Sequence, residues 1–417
     1  MSERLQKITT YLGIFLVVTG VSYFAFSQLF PNGSTSLVNP GGLKTVAKPT
    51  TGQQTGSVAF SGPKTEMCPL NGELFTKEEK AIWSTRRPLM VMIENHPDSR
   101  PQSGLQNADI VYEAISEGGI TRFMGVFYCN AVKGSTNKYD VGPVRSARTY
   151  FVDQASEYAD YPLYTHVGGS NCSAPLDPVT GRQAGPCTTN KKAQAIEQIS
   201  EYGWNNKGTW GDLSQFSLSY KVCRREADRM GKEVATEHTM YCSSSELWNT
   251  AESRGLTNTT LVNKNSWDKN FRPWLFKQSD TPSSGASSIA FDFWSGYKDF
   301  SVSWKYNNSS KLYSRSNGGQ PHVDFNTSKQ ITTKNIVIQY VKETRSIDEH
   351  FHNLYEVVGS GKGVLLQNGT KSDITWTKSN RTARTVYRDT TGKEVNFVPG
   401  QIWVEILPIA TPVTYEG

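Results

Sequence analysis

The sequence predicts an α/β or α+β N-terminal domain followed by a mainly antiparallel β C-terminal domain, carried on a single N-terminal transmembrane helix. Three observations predict this. Apolar strand-like runs alternate with helical stripes between Lys77 and residue 278. Beyond residue 279 the hydrophobic period is almost purely two, as in Phe300, Val302, Trp304 and Tyr306. Ile8 to Phe30 contains no charged residue, and as a helix it is about 34 Å long, enough to cross a hydrocarbon core.

Arg4 and Lys7 precede that apolar run, so residues 1–7 are a cytoplasmic stub, residues 8–30 the anchor, and the chain beyond residue 30 lies outside. A cleaved signal peptide is the alternative. Bulky Phe24, Phe26, Leu29 and Phe30 fill the exit end where a small-x-small site would stand, and no Cys lies close behind to carry lipid. Residues 31–76 read as a flexible linker, rich in Gly, Ser, Thr, Asn and Pro and without an acidic residue before Glu66. The first domain spans 77–278 and the second 279–417, with Ser279–Ser288 as the boundary.

Within the first domain, Pro88–Glu94 reads as a buried strand and Asp109–Ile115 as a second. Glu117-Gly118-Gly119 is a turn, so Thr121–Cys129 closes a hairpin. Ser146–Ala159 predicts a helix with Phe151, Ala155, Tyr158 and Ala159 on one stripe. Pro162–Val167 is another strand, ended by Gly168-Gly169-Ser170, and Lys191–Tyr202 a second helix. In the second domain Asn335–Val341 is a strand. Gly363–Gln367 and Asp373–Lys378 flank Asn368-Gly369, a pair suited to a type I′ turn. Arg384–Arg388, Glu394–Val398 and Gln401–Leu407 are expected to complete a meander.

Composition is that of an ordinary folded chain, 36% hydrophobic with 35 Gly and 19 Pro. The net charge of +6 is mild and its cations are dispersed, which argues against nucleic-acid binding. All six Cys lie beyond the anchor, and none forms a Cys-x-x-Cys pair. Outside the cytoplasm they can form disulfides. Cys172–Cys187 would close a Pro- and Gly-rich loop, leaving Cys223–Cys242 and Cys68–Cys129, although six Cys allow many connectivities.

Several segments are distinctive together: Asn95-His96-Pro97-Asp98-Ser99-Arg100-Pro101-Gln102-Ser103-Gly104, Ala108 to Glu113, Glu117 to Arg122, Gly142 to Arg148, and Tyr164 to Ser170. With Gly319 to Asp324, Val358 to Gly361, Trp376-Thr377-Lys378 and Pro399 to Trp403, the chain resembles the YerB-type lipoprotein family of bacteria from roughly Arg86 to Pro408. The resemblance implies two domains of unknown function and a bacterial envelope location. It does not imply a reaction. The chain departs from the family in lacking a lipid-bearing Cys near the anchor.

If strand 88–94 pairs antiparallel with 109–115, its C-terminal end lies beside the start of the latter, and a crossover through helix 146–159 returns 162–167 to that edge. Asn95, Arg100, Gln102, Asp109, Arg145, Arg148, His166 and Ser170 then converge where α/β proteins bind ligands. Arg145 and Arg148 precede or open a helix, whose free N–H groups add to the positive field. This is an anion site in outline, suited to phosphate, carboxylate or a wall-polymer phosphodiester. The competing reading pairs Asp109 with an Arg and uses His166 to cap a strand.

Glu113, Glu117, Thr121 and Arg122 are expected at the opposite edge, where two carboxylates could serve as acid and base. The plainer reading pairs Glu117 with Arg122 across the turn. His322 with Asp324, and His350 with His352, share a spacing that could hold a metal, and surface strand positions are the simpler reading. Gly359 to Gly363 is no phosphate loop, because Glu356 stands where a Gly is required and strands come after it. Gly168 to Cys172 lacks the last Gly of a nucleophile elbow. Most of Trp204, Trp210, Trp294, Trp304, Trp376 and Trp403 is read as core, not as a sugar-stacking platform.

Two functions are expected from these residues. In the first, the chain is an anchored envelope module that binds a cell-wall glycan, an anionic wall polymer or an assembly partner through Asn95, Arg100, Gln102, Arg122, Arg145, Arg148 and Ser170. In the alternative, it is a hydrolase or transferase acting on an anionic envelope polymer. His166 or Asp109 is then the base, Glu113 and Glu117 are further catalytic candidates, and Arg145 and Arg148 clamp the anion. Neither a metal nor another cofactor is expected, and the membrane is the one partner the anchor implies.

Overall fold

Strands buried on both faces carry unbroken apolar runs, and such runs form the centre of this structure. The computed structural model describes residues 60–133, 139–158, 160–262, 264–278 and 287–417. The expected stub, anchor, most of the linker and most of the 279–288 boundary lie outside those residues. Among the described residues no helix is long and apolar enough to cross a membrane.

The central sheet has ten strands. In chain order they are β1 (Leu89–Glu94), β2 (Ile110–Ile115), β3 (Thr121–Phe127), β4 (Leu163–His166) and β5 (Asp212–Ser214) from the first segment. The second segment first forms β6 (Ser288–Asp292), β7 (Ser301–Asn307) and β8 (Leu312–Asn317) of another sheet. It then adds β9 (Asn335–Val341), β10 (Gly359–Gln367), β11 (Thr370–Lys378), β12 (Val386–Asp389) and β13 (Ile402–Pro408) to the central one, before β14 (Val413–Glu416). The spatial order is β12-β11-β10-β9-β13-β2-β3-β1-β4-β5.

The join is β13. It runs parallel to β9 on one side and to β2 on the other, with Ile402 opposite both Asn335 and Ile110. Here the expected meander is corrected. Strands β9 to β12 do form one, but β13 leaves it. Its sequence IWVEILP is buried at every position, so it needs a neighbour on each side, which an edge position would not provide. The two segments therefore share one sheet, and the described residues cluster as one compact unit.

The second sheet runs β8-β7-β6-β14, all antiparallel, with Gln320–Pro321 on the far side of β8. It meets the central sheet through Trp304 of β7, whose ring lies edge-on 5.1 Å from Trp403 of β13. A small third sheet of Asp140–Val141, Met240–Ser243 and Cys223–Arg225 carries the Thr236–His238 turn beside the end of β1. The helices are short: α1 (Lys77–Trp83), α2 (Thr149–Ala155), α3 (Ala195–Glu201) and α4 (Ser244–Ser253).

Local signals explain much of this. Asn368 and Gly369 both take positive φ, 51° and 74°, and Gln367 pairs with Thr370 across them, as a type I′ turn requires. Gly119 also has positive φ, and the Tyr297 ring occupies the space a Cβ would need, so this hairpin turn admits only Gly without rearrangement. The three disulfides are Cys68–Cys129, Cys172–Cys187 and Cys223–Cys242, the pairing that the local Cys172–Cys187 loop leaves. Part of the expected linker is folded: Glu66–Met67 pairs with Leu74–Phe75, and the Cys68 bridge holds that hairpin to the core.

Candidate functional site

Strand order decides which loops meet. The sequence expectation placed 88–94 beside 109–115. In the structure β3 lies between them, pairing Glu94 with Arg122 on one side and Ile115 with Thr121 on the other. β1 and β2 consequently run in the same direction, and the 117–119 turn joins the edge where β1 and β4 end. Glu113, Glu117, Thr121 and Arg122 therefore sit with Asn95, Arg145, Arg148 and His166, not across the sheet from them.

Asp109 is the residue that moves away. It lies at the start of β2, where its carboxylate accepts from Asn71 Nδ2 (2.6 Å), the Tyr128 N–H (2.6 Å) and the Asn130 N–H (3.0 Å) beside the Cys68–Cys129 bridge. Burial pushes its carboxyl up to about 7 against those donors. It pairs with no Arg and organises a loop at the other end of the sheet.

The ligand edge divides into a closed node and an open rim. In the node, Asn95 donates to Thr121 Oγ1 (2.7 Å) and Glu113 Oε1 (3.2 Å), and accepts from Gln102 Nε2 (3.0 Å) and Asn317 Nδ2 (2.7 Å). Thr121 donates to Glu113 (2.6 Å), whose other oxygen contacts Arg315 Nη2 from β8. Arg315 also donates to His322 Nδ1 (2.7 Å), and His322 Nε2 donates to Gln102 Oε1 (2.8 Å), which fixes the tautomer. Burial, helped by Arg315 and Arg100, holds His322 well below its ordinary value, so it is neutral. Glu405 of β13 accepts from Trp304 Nε1 (2.9 Å); burial and the neighbouring Glu113 raise its carboxyl far above the usual range. Arg100 donates to the Asn95 carbonyl (2.9 Å) and lies over the Phe300 ring.

The rim holds three guanidinium groups and two carboxylates. Arg148 grips Glu117 through both Nε and Nη2, and Arg122 Nη2 adds a contact at 3.5 Å, the turn pairing foreseen in sequence. Burial acts to raise Glu117, but Arg148 and Arg122 outweigh it and hold the carboxyl well below the usual range. Glu94, 2% exposed, contacts Arg145 Nε, and His238 Nδ1 lies 3.6 Å from the same oxygen. Here too burial is outweighed, by His238, Arg122 and Arg145, and the carboxyl is lowered. Arg145 keeps 26% of its side chain in solvent.

The remaining candidates are engaged locally. His166 is buried, with Nδ1 against the Gly168 carbonyl (2.6 Å) and Nε2 against Asp212 Oδ1 (2.8 Å), so neither ring nitrogen is open to a substrate. Ser170 Oγ donates to the Ala193 carbonyl and is 5% exposed. His322 and Asp324, read as surface strand positions, are both buried, because β8 and the 102–106 loop cover them. His350 and His352 lie on a loop, not a strand: His352 Nδ1 meets Asp348 (2.9 Å), and His350 Nε2 meets Thr188 Oγ1 (2.8 Å). Trp204, Trp304, Trp376 and Trp403 are core, while Trp210 stays exposed with the Arg254 guanidinium 4.0 Å from its ring.

Sequence reasoning missed Glu94, Arg315 and Glu405, and it assigned no role to His96 or His238. Glu94 and Glu405 did leave a signal, since each is a lone carboxylate in an apolar run, and such a charge must meet a cation or be neutral.

The comparisons agree with this layout. Residues 72–257 match the family model described as "Protein of unknown function (DUF3048) N-terminal domain", and residues 289–404 match its C-terminal counterpart. The chain is 29% identical over 358 residues to "Putative lipoprotein YerB" of Bacillus subtilis (strain 168), covering 85% of this chain and 90% of that protein. It is also similar to the crystal structure of the YerB protein from Bacillus subtilis, with a TM-score of 0.62 and 27% identity over 84% of this chain and all of the other. The chain belongs to the YerB-type family, whose two DUF3048 domains here share a single central sheet.

Proposed function

We propose that this protein is a membrane-anchored, extracytoplasmic module of the bacterial envelope that binds an anionic wall polymer at the rim of its central sheet. The observation that carries the reading is the charge imbalance there. Among the described residues, the carboxylates that Arg122, Arg145 and Arg148 contact are Glu94 and Glu117, and Arg145 keeps 26% of its side chain in solvent. A phosphate or carboxylate group would complete the neutralisation and could take a bidentate contact from a guanidinium.

The compartment rests on separate support. All six cysteines are paired, as suits an oxidising environment. The apolar Ile8–Phe30 stretch supplies the anchor, and the related protein of Bacillus subtilis carries the name of a lipoprotein. Binding is favoured over turnover because the catalytic candidates are occupied. His166 has both nitrogens engaged, Glu113 is enclosed, and Asp109 belongs to the far end of the sheet.

The test is retention of the full-length, detergent-solubilised chain on immobilised anionic wall polymer, with neutral muropeptides as the comparison. Arg145→Ala should weaken retention on the polyanion by about tenfold, the loss of one charge-assisted contact. Raised salt should weaken the wild type in the same direction. Equal retention of wild type and variant would remove the anion site.

A further inference from the structure

Beside the rim, His96, Asp98 and His238 each place a ligating atom within 4.8 Å of the other two. We propose that these three side chains, backed by Glu94, form a site for a divalent transition-metal ion of the zinc class. We further propose that a phosphate-type oxyanion bridges that ion and Arg145. The bridge rests on the anion reading above, whereas the metal site does not.

The donor set is two imidazoles and one carboxylate, three protein ligands that leave coordination positions open. His96 is prepared for the role. The Asp98 N–H donates to its Nδ1 at 3.2 Å, so that nitrogen is the unprotonated one, and an ion bound there would take the place of this donor. The same Nδ1 lies 3.6 Å from Asp98 Oδ2, near the edge of about 3 Å that two ligands share when each is about 2 Å from one zinc ion. Lys232 sits 3.6 Å from the other Asp98 oxygen, Oδ1, and leaves Oδ2 available.

His238 supplies the second, independent observation. Its side chain is 8% exposed, and its Nδ1 makes no hydrogen bond. That nitrogen lies 3.6 Å from Glu94 Oε2, a small ring rotation from a hydrogen bond. A metal-bound imidazole characteristically gives its other N–H to a carboxylate, which fixes the ring and strengthens the ligand. Glu94 suits that position by geometry, because the Oε2 that faces His238 Nδ1 is also the oxygen that Arg145 contacts. Nε2 of His238 then remains for the ion.

In the metal-free arrangement the two imidazole rings stack, 4.6 Å apart and within 10° of parallel. Coordination requires them to turn toward one point. His96 and Asp98 keep 32% and 56% of their side chains exposed and can turn, while buried His238 needs only the small rotation that brings Nδ1 onto Glu94. Arg145 contacts the same Glu94 oxygen that faces His238. The guanidinium therefore lies on the Nδ1 side of the His238 ring, and the proposed oxyanion would have to reach past that ring from the ion to Arg145.

The experiment is titration of the tag-free, full-length chain with Co²⁺, read by visible d–d absorption and then by displacement with Zn²⁺. One equivalent should bind. Asp98→Asn, at an exposed position that folding tolerates, should lower affinity at least tenfold, and His238→Ala about 100-fold. A His350→Ala/His352→Ala variant should bind as the wild type does. Absence of saturable binding, or equal affinity in Asp98→Asn and wild type, overturns the site. Polyanion retention measured with chelator, and again with one equivalent of Zn²⁺, separates the two readings. Arg145→Ala losing retention in both conditions with no gain from Zn²⁺ rejects only the bridge. Normal metal binding with retention indifferent to Arg145 rejects the bridge together with the anion reading and leaves the metal site standing.

Discussion

The node around Arg315 and the rim around Arg122, Arg145 and Arg148 are built from the same residue types at one end of one sheet, yet one excludes water and the other does not. In the node, Arg315, Glu113 and Glu405 are all 0% exposed, and the second sheet covers them through Trp304, which packs edge-on against Trp403 of the central sheet. Among the described residues, Arg315 is the one guanidinium in contact with the two carboxyls there, since Arg100 binds the Asn95 carbonyl, and burial beside Glu113 raises the Glu405 carboxyl far above the usual range. In the rim, three cations face two carboxylates, and both of those are held ionised. Counting charged residues cannot tell the two apart. The sign of the imbalance and the access of water can: a surplus of acid sealed from water resolves itself by taking up a proton, while a surplus of base at the surface is left to attract an anion.

Arg315→Met should give the largest effect. It leaves Glu113 and Glu405 buried without a cation, and removal of one partner from such a buried group costs about 3–5 kcal/mol. Urea unfolding at neutral pH checks this. A loss below about 1 kcal/mol would mean that water reaches the node, and the contrast with the rim would fail.

This contrast also marks how far the sequence could be read. Leu89–Glu94, Asn335–Val341 and the Asn368-Gly369 hairpin were legible because apolar runs and turn residues act locally. The helices were legible in position but not in length, since α2 occupies only Thr149–Ala155 of the expected 146–159. Which residues share an edge was not legible. Inserting β3 between β1 and β2 carried Asp109 to the far end and brought Glu117 and Arg122 in, and no local pattern encodes that order. Arg315 could not be connected to Glu113, 202 residues away, without the β13 join. Arg145 and Arg148 were found because they flank a helix start, which is again local information.

Glu117→Gln should cost about 2 kcal/mol at neutral pH, the scale of a charge-assisted bidentate contact. Because the folded-state carboxyl lies below its ordinary value of 4.5, its contribution is present above that value and fades as pH falls. The gap between the variant and the wild type should therefore start to narrow below pH 4.5 and close only as pH approaches the much lower folded-state value. Parallel acid limbs for the two proteins would show that the Arg148 pairing is screened by solvent, and would move Glu117 out of the rim's charge balance.

Glu405→Gln should do the reverse at smaller scale. A carboxyl raised in the fold favours stability at low pH, and that contribution is lost as pH rises toward the folded-state value. An amide mimics the protonated acid in shape and can still accept from Trp304. The change should be within about 1 kcal/mol at neutral pH and should flatten the alkaline side of the stability profile. A loss as large as that of Arg315→Met would indicate that Glu405 is ionised, and the node would then be an ordinary ion triad.

Arg145→Ala should be the mildest for stability, and it bears most on function. Glu94 would keep Arg122 and His238 as neighbours, and the removed side chain is a quarter exposed, so a loss of about 1 kcal/mol or less is expected. That small cost is what makes the variant informative. A chain that melts like the wild type but no longer holds a polyanion locates the affinity in the open guanidinium and not in the integrity of the edge. If Arg145→Ala instead destabilised the fold as much as Arg315→Met, Arg145 would be a closed structural partner of Glu94. The rim would then be a second node, and the case for a ligand there would be lost.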